Sequence, residues 1–486
     1  MSELHSKTVF PYKWKAFLAV ALSLVTMVMS MSITILALPV IALDFEATLR
    51  EVTWVVLGFS LTVTSLLLPM GRLSDLIGRK VTLLCGLSFF SLGCLACYWT
   101  NSLALLVAGR VVMGIGAAMG QGVGTAIVVS VFPPEERGKA IGSHTTAVAI
   151  GGAAGPVIAG LLLQHYPWQV LFLVMAVPAG LALMWGFFTL EDEKIGSFQS
   201  TDRKFDLHGA CLSALVILIF VISINSPFPS QYTIWMLGLG LPLSMVLLSC
   251  FIRHQNRVES PLLDLQLFTN PVFTFAALTR IFGFMSRAAS MLLLPVFLLN
   301  IRGINEGMIG LMMLVAAVGM GIGAQSGGRL SDHYGPRRFM IFGFMVAICS
   351  TTVMAFFHRE SSVPLILGAL FVNGIAMGLW ATPNQVMTMN ATPKASYGPV
   401  GALVNLTRNT GNVTGQAIVA AVMTAVMSLQ GFNIELSQVG ILPGSIEAFL
   451  YGWRFSYFVI IGFISIALLG AFLSRSVQQP GLRQSF

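Results

Sequence analysis

Charge is what this sequence has least of. Only 9% of its 486 residues are Asp, Glu, Lys or Arg, against 56% hydrophobic residues. Soluble domains carry about 25% charged residues, so that class is excluded. Carboxylates are the scarcer sign, 19 against 27 Lys and Arg, and none lies in the middle of an apolar run. Without a His/Asp/Glu cluster inside those runs there is no ligand set for a buried metal, and the chain is not read as an enzyme. No glycine-rich loop ending in Lys-Ser/Thr is present, so nucleotide-driven work and a bound cofactor are not expected. No Arg-rich tail or basic amphipathic stretch marks a nucleic-acid partner. The six cysteines (Cys85, Cys94, Cys97, Cys211, Cys250, Cys349) all fall in apolar runs, so a disulfide framework is not expected. The first apolar run lacks a short core followed by a small-residue cleavage pattern, and is expected to be retained.

Apolar runs of about 20 residues, enough to cross a bilayer as helices, recur throughout. Fourteen are counted, centred near Met27, Thr62, Phe90, Ala117, Ala153, Ala179, Leu215, Leu243, Phe284, Ala317, Val346, Met377, Thr414 and Phe463. Of the 23 loop cations, 19 fall on one side and only Arg50, Arg302, Arg359 and Arg454 on the other. The positive-inside rule then makes both termini cytoplasmic in an inner or plasma membrane.

One stretch is written twice. Gly71-Arg-Leu-Ser-Asp75-Leu-Ile-Gly78 returns 257 residues later (328 − 71) as Gly328-Arg-Leu-Ser-Asp332-His-Tyr-Gly335. Both copies are followed by cations, Arg79 and Lys80 in the first and Arg337 and Arg338 in the second. A weaker repeat, Trp168–Phe172 and Trp453–Tyr457, is expected to open spans six and fourteen. The offset far exceeds a solenoid period and indicates two similar halves, a mark of many secondary transporters. The division expected is a six-helix half over 1–190, a central loop with two inserted helices over 191–265, and a second six-helix half over 266–486.

These residues resemble the major facilitator superfamily, and within it the fourteen-span drug:proton antiporters. Gly71, Asp75, Gly78, Arg79 and Lys80 are similar to its signature corner between spans two and three. Arg110, Gly114 and Gly116 are similar to its span-four motif. Gly151, Gly155, Pro156 and Gly160 are similar to its antiporter motif in span five. The resemblance implies an all-α major facilitator fold of 14 helices, two pseudo-symmetric halves plus two inserted helices. It also implies alternating access, export of hydrophobic or amphiphilic small molecules, proton antiport and action as a monomer. Asp75 is expected to accept hydrogen bonds at a helix N-terminus and to latch the cytoplasmic side. Asp75→Asn should then insert normally and transport poorly, with Asp332→Asn milder.

The chain departs from that pattern in span one, where Ser30 stands at the position expected to be acidic. Four arginines lie inside spans instead: Arg110, Arg280, Arg287 and Arg408. Each costs ~2.5–3.5 kcal/mol at mid-bilayer on the insertion scale, so all should face the bundle interior. Arg280 and Arg287, seven apart, share one helix face. A cationic interior suits an anionic metabolite or lipid as cargo, with Ser30→Ala tolerated. Further interior candidates are Gln121, His144, Trp380, Asn384 and Gln385, with Pro383-Asn384-Gln385 expected to break span twelve.

Overall fold

The computed structural model describes residues 11–195, 205–225, 232–432, 439 and 444–474. Fourteen helices there are long and apolar enough to cross a membrane, one at each expected centre. They are α1 (Tyr12–Asp44), α2 (Leu49–Ile77), α3 (Arg79–Tyr98), α4 (Leu103–Val131), α5 (Arg137–Leu162), α6 (Val170–Thr189) and α7 (Leu207–Asn225). The rest are α8 (Leu241–Gln255, continuing a π turn over Met236–Gly240), α9 (Pro271–Val296), α10 (Glu306–Tyr334), α11 (Pro336–Ala355), α12 (Val363–Asn390), α13 (Tyr397–Leu429) and α14 (Ser445–Leu473). In hydrocarbon every backbone polar group needs an internal partner, and a helix supplies it within one segment.

Local chemistry sets the helix ends. Thr48 and Glu51 form a reciprocal capping box at α2, and the Ser102, Asn270 and Asn305 side chains accept from the first turns of α4, α9 and α10. The two repeated corners each turn on one residue, Gly78 at φ 98° and Gly335 at φ 84°. Positive φ there favours glycine and explains why each repeat ends in it.

Each half has its own core. One runs from Ala16 to Ile195, and the other is built almost wholly from residues 276–471. Fully buried Trp168 and Trp453 sit at matching places, donating Nε1–H to Asp44 Oδ2 (2.8 Å) and to the Met354 carbonyl (2.9 Å). Trp453 lies inside α14, which starts at Ser445, so the second Trp repeat does not open its helix as expected. A third cluster, including Leu68, Val129, Ile141, Phe251, Met389 and Tyr397, joins the halves to the inserted pair at the face where α1 begins and α14 ends. We call this the terminal face.

One further expectation is corrected. Pro383 does not break span twelve, because α12 runs through it from Val363 to Asn390. The carbonyl that Pro383 leaves without a helical N–H is accommodated within a helix whose terminal-face half is buried. All six cysteines are free, and Cys94 and Cys97 are buried.

The inserted pair is clasped at the terminal face by Asp206. Its carboxylate accepts from the Gly209 N–H (2.8 Å) and Gln255 Nε2 (2.9 Å), and lies 2.8 Å from His254 Nε2. Gln255 Oε1 in turn accepts from the Leu262 N–H at 2.7 Å. Burial pushes the Asp206 carboxyl up, but the bonds from His254, Gly209 and Gln255 outweigh it and hold the carboxyl below its ordinary range. A depressed carboxyl contributes stability above its unfolded value and loses it as pH falls through the folded one. Asp206→Asn is therefore expected to lower the melting temperature at neutral pH and to flatten the acid limb of a melting-temperature–pH profile in detergent. Superimposable wild-type and variant profiles would remove this clasp from the account.

Candidate functional site

The repeated corners build the terminal-face closure. Asp332, in the last turn of α10, accepts from the Gly138 N–H (2.7 Å) and the Lys139 N–H (2.9 Å) at the start of α5, in the other half. This is a carboxylate on a helix N-terminus, where free N–H groups and the macrodipole favour an anion. Gly328 and Gly138 touch backbone to backbone, so a Cβ on either would clash. The first copy repeats the arrangement between α2 and α13. A Cβ on Gly71 would stand 2.5 Å from Ala402 Cβ, and one on Gly398 would stand 2.6 Å from Asp75 Oδ1. Asp75 also lies 3.5 Å from Arg79 Nη2.

The two copies are not equal. Pro399 occupies the third helical position of α13, where α5 has Lys139. Proline has no N–H, so only Asp332 can take both backbone donors. Asp332 makes the hydrogen bonds at a helix N-terminus that were expected of Asp75. Arg79 donates to Ser130 Oγ and to the Ile195 carbonyl at the start of the central segment, and Lys80 turns away to the Phe187 ring, 5.8 Å from its centroid.

One partner escaped the sequence reading. Arg137, treated there as a loop cation, donates to Asn390 Oδ1 (3.0 Å) and the Tyr397 hydroxyl (2.8 Å) across the halves. The signal was present: Pro133-x-x-x-Arg137-Gly138 recurs as Pro393-x-x-x-Tyr397-Gly398. Gln325 Nε2 adds a further cross-half bond to Ser143 Oγ at 3.0 Å.

The glycines of span five serve a different contact. A Cβ on Gly151 would stand 2.6 Å from the Val25 carbonyl, and one on Gly155 2.9 Å from the Ile33 nitrogen, so α5 lies directly on α1. Gly411 and Gly415 of α13 press on Ile281 and Met285 of α9 in the same way. Gly160 has nothing within 4 Å and takes no part. Gly114 packs on Phe59 and Thr62, and Gly116 on Gly86 and Phe90, joining α4 to α2 and α3.

The arginines do face inward, and they divide into two groups. Arg110, fully buried, belongs to the first half: Nε donates to the Val55 carbonyl (3.0 Å), Nη1 to Ser30 Oγ (2.7 Å), and the guanidinium lies 4.3 Å from the Phe59 ring centre. Ser30, at the position expected to be acidic, is thus an acceptor for Arg110.

The other three gather where the halves meet. Arg280 Nε donates to the Val404 carbonyl (2.9 Å), while its buried Nη1 has no hydrogen-bond partner. Arg408, one turn beyond Val404, donates to Gln121 Oε1 of α4 at 2.8 Å. Gln121 also takes Asn405 on its carbonyl (2.8 Å), and Gln385 approaches Thr125 Oγ1 at 3.4 Å. Arg287 is half-buried and lines a cavity of about 100 Å³ with Pro156, Met291, Met313, Met320 and Met377. Arg280 and Arg287 lie on α9 and Arg408 on α13, which Gly411 and Gly415 pack directly together, and His144 of α5 is buried. No carboxylate lines the cavity. Like charges without a counter-ion repel one another in a low-dielectric interior, so such a cluster favours an anion.

Trp380 and Asn384 are not brought to this cluster. Trp380 stacks on Phe344 (4.9 Å between ring centres) and meets Phe284 edge-on (5.2 Å). Asn384 donates to the Ala276 carbonyl at 2.9 Å. Both hold the second half together. Toward the terminal face the helices are sealed: Ala376–Met389 of α12 and Met119–Val129 of α4 are buried throughout. Farther out, Asn409, Asn412 and Thr414 of α13 are partly exposed.

Comparisons with known proteins agree with this architecture. The sequence model of the Major Facilitator Superfamily matches residues 19–415 and, again, 276–485. The chain is 27% identical over 405 residues to the riboflavin transporter RibZ of Clostridioides difficile, covering 83% of this chain and 87% of that one. It is 29% identical over 420 residues to the multidrug resistance protein Stp of Mycobacterium tuberculosis, covering 85% and 76%. The crystal structure of the human organic anion transporter MFSD10 superposes with a TM-score of 0.66 over 96% of this chain and 100% of that one. At 14% identity, that likeness shows the fold alone. Two six-helix halves, a copied corner bridging them at one face, and a family match spanning both place the chain in the major facilitator superfamily, as a membrane transporter of small molecules and not an enzyme.

Proposed function

We propose that this transporter exports amphiphilic small molecules by alternating access, and that the structure is its state closed to the cytoplasm. The carrying observation is the pair of cross-half latches at the terminal face, built from the repeat, above a methionine-rich cavity between the halves. Met side chains adapt to cargo of varied shape. Relatives named for multidrug resistance support efflux, and the riboflavin transporter shows that the same scaffold carries a defined metabolite.

On this reading the terminal face is cytoplasmic in the cell membrane, the units are 1–190, 191–265 and 266–486, and one chain suffices for transport. Protons are the proposed coupling ion, but not through span one, where Ser30 carries no titratable group and is bonded to Arg110. The candidates that remain, Asp75, His144 and Asp206, all lie toward the terminal face.

Two measurements test this. In intact cells, a membrane-impermeant thiol reagent is expected to label Arg302→Cys and to spare Lys394→Cys, in a background lacking the native cysteines. The reverse pattern would invert the topology and with it the direction of export. In proteoliposomes, an imposed pH gradient is expected to drive accumulation of amphiphilic substrates, and the drive should survive Ser30→Ala. Absence of accumulation across a panel of anionic, neutral and cationic amphiphiles would reject the efflux reading.

A further inference from the structure

The carrier reading leaves the charge of the cargo open, and the interior cluster speaks to it. Arg280 and Arg408 are already held, one by the Val404 carbonyl and the other by Gln121. Neither acceptor carries a charge, so the cations are oriented but not neutralised. Arg287 has no hydrogen bond or ion pair among the described residues, and it opens onto the cavity. Its helix is pinned against α13 by Gly411 and Gly415, which keeps Arg287 on the side of Arg408. Apart from Ser290 and Asn373 the remaining wall is apolar, with Pro156, Met291, Met313 and Met377 nearest in kind to a receptor for a hydrocarbon or aromatic body. Half-buried Arg287 thus presents an uncompensated charge to a largely apolar chamber.

We propose that Arg287, backed by Arg280 and Arg408, binds the carboxylate, sulfonate or phosphate group of an amphiphilic anion whose apolar body occupies the methionine-lined chamber. This rests on the carrier reading and narrows its substrate class. The guanidinium fork matches such oxyanions with two parallel N–H donors, and Arg280 and Arg408 add field without competing for the same oxygens. The substrate enters as the anion, and no covalent step is involved.

The test is equilibrium dialysis against protein in phosphatidylcholine nanodiscs, with empty discs as the blank. The probes share one aromatic body: naphthalene-1-sulfonate and 1-naphthylmethylammonium. The sulfonate is expected to bind at least about tenfold more tightly than the ammonium, and Arg287→Gln to remove that preference. Arg287→Lys should keep much of it, because the charge remains. Unliganded Arg287→Gln should melt at or above the wild-type temperature, since it loses an uncompensated charge. A merely structural arginine would lower it. Equal binding of the two probes, sulfonate binding unchanged in Arg287→Gln, or no sulfonate binding above the blank would each overturn the anion site. The carrier reading is scored separately, by accumulation of the wider panel in proteoliposomes. Cationic amphiphiles accumulated equally by wild type and Arg287→Gln would sink the anion site while leaving the carrier intact.

Discussion

Asp332→Asn is expected to depopulate the state closed at the terminal face by roughly ten- to a hundredfold, and Asp75→Asn by less. A hydrogen bond to a charged group contributes about 1.5–3 kcal/mol, and each 1.4 kcal/mol is tenfold in an equilibrium. Asp332 spans the halves with two such bonds, to the Gly138 and Lys139 N–H groups. Asparagine keeps one neutral acceptor and loses the charge that the helix N-terminus favours. Asp75 faces an α13 N-terminus whose third position is Pro399, so it has one backbone donor fewer to lose. Spin-label distances between Glu135→Cys and Tyr334→Cys, both exposed and on opposite halves, read the closed fraction. Equal shifts in the two variants, or the larger one in Asp75→Asn, would show that the second copy is not the stronger latch.

Ser30→Ala is expected to lower stability by about 1–3 kcal/mol, the cost of leaving a buried donor without its acceptor. Arg110 is fully buried, and its Nη2 already lacks a partner. Removing Ser30 Oγ takes the 2.7 Å bond from a second nitrogen and leaves it only a weak contact with Met113 Sδ at 3.8 Å. Ser30→Asp should recover the loss, because a carboxylate at that place meets the same guanidinium. A thermal melt in detergent decides this, and an unchanged melting temperature in Ser30→Ala would make the contact incidental. Substrate accumulation per folded molecule should not fall in Ser30→Ala, since the serine supplies no proton.

Legibility in the sequence was uneven, for physical reasons. The fourteen spans were readable because a bilayer demands long uninterrupted apolar runs, and the Gly78 and Gly335 corners because one-residue turns at positive φ nearly require glycine. The inward aim of the arginines was readable from cost alone. The ranking of the two latches was not. Likeness to a family pattern favoured Asp75, whereas the donors that decide the matter are backbone N–H groups of α5 and α13, which no side-chain pattern displays. Ser30 read as an inert replacement because its partner lies 80 residues away on α4. Pro383 read as a break, although neighbouring helices let a transmembrane proline pass without one. Trp380 read as an interior candidate for the cargo or coupling site, while Gly283 leaves its ring a slot within its own half.

The central claim is that the two halves exchange closure between faces, with the terminal face held by the repeated corners. It is tested most directly by two spin-label pairs in lipid nanodiscs, Glu135→Cys with Tyr334→Cys at the terminal face and Gln164→Cys with Met308→Cys at the other. In Asp75→Asn/Asp332→Asn the terminal-face distance should lengthen while the opposite-face distance shortens. Two unchanged distances, or both lengthening together, would contradict alternating access governed by these latches.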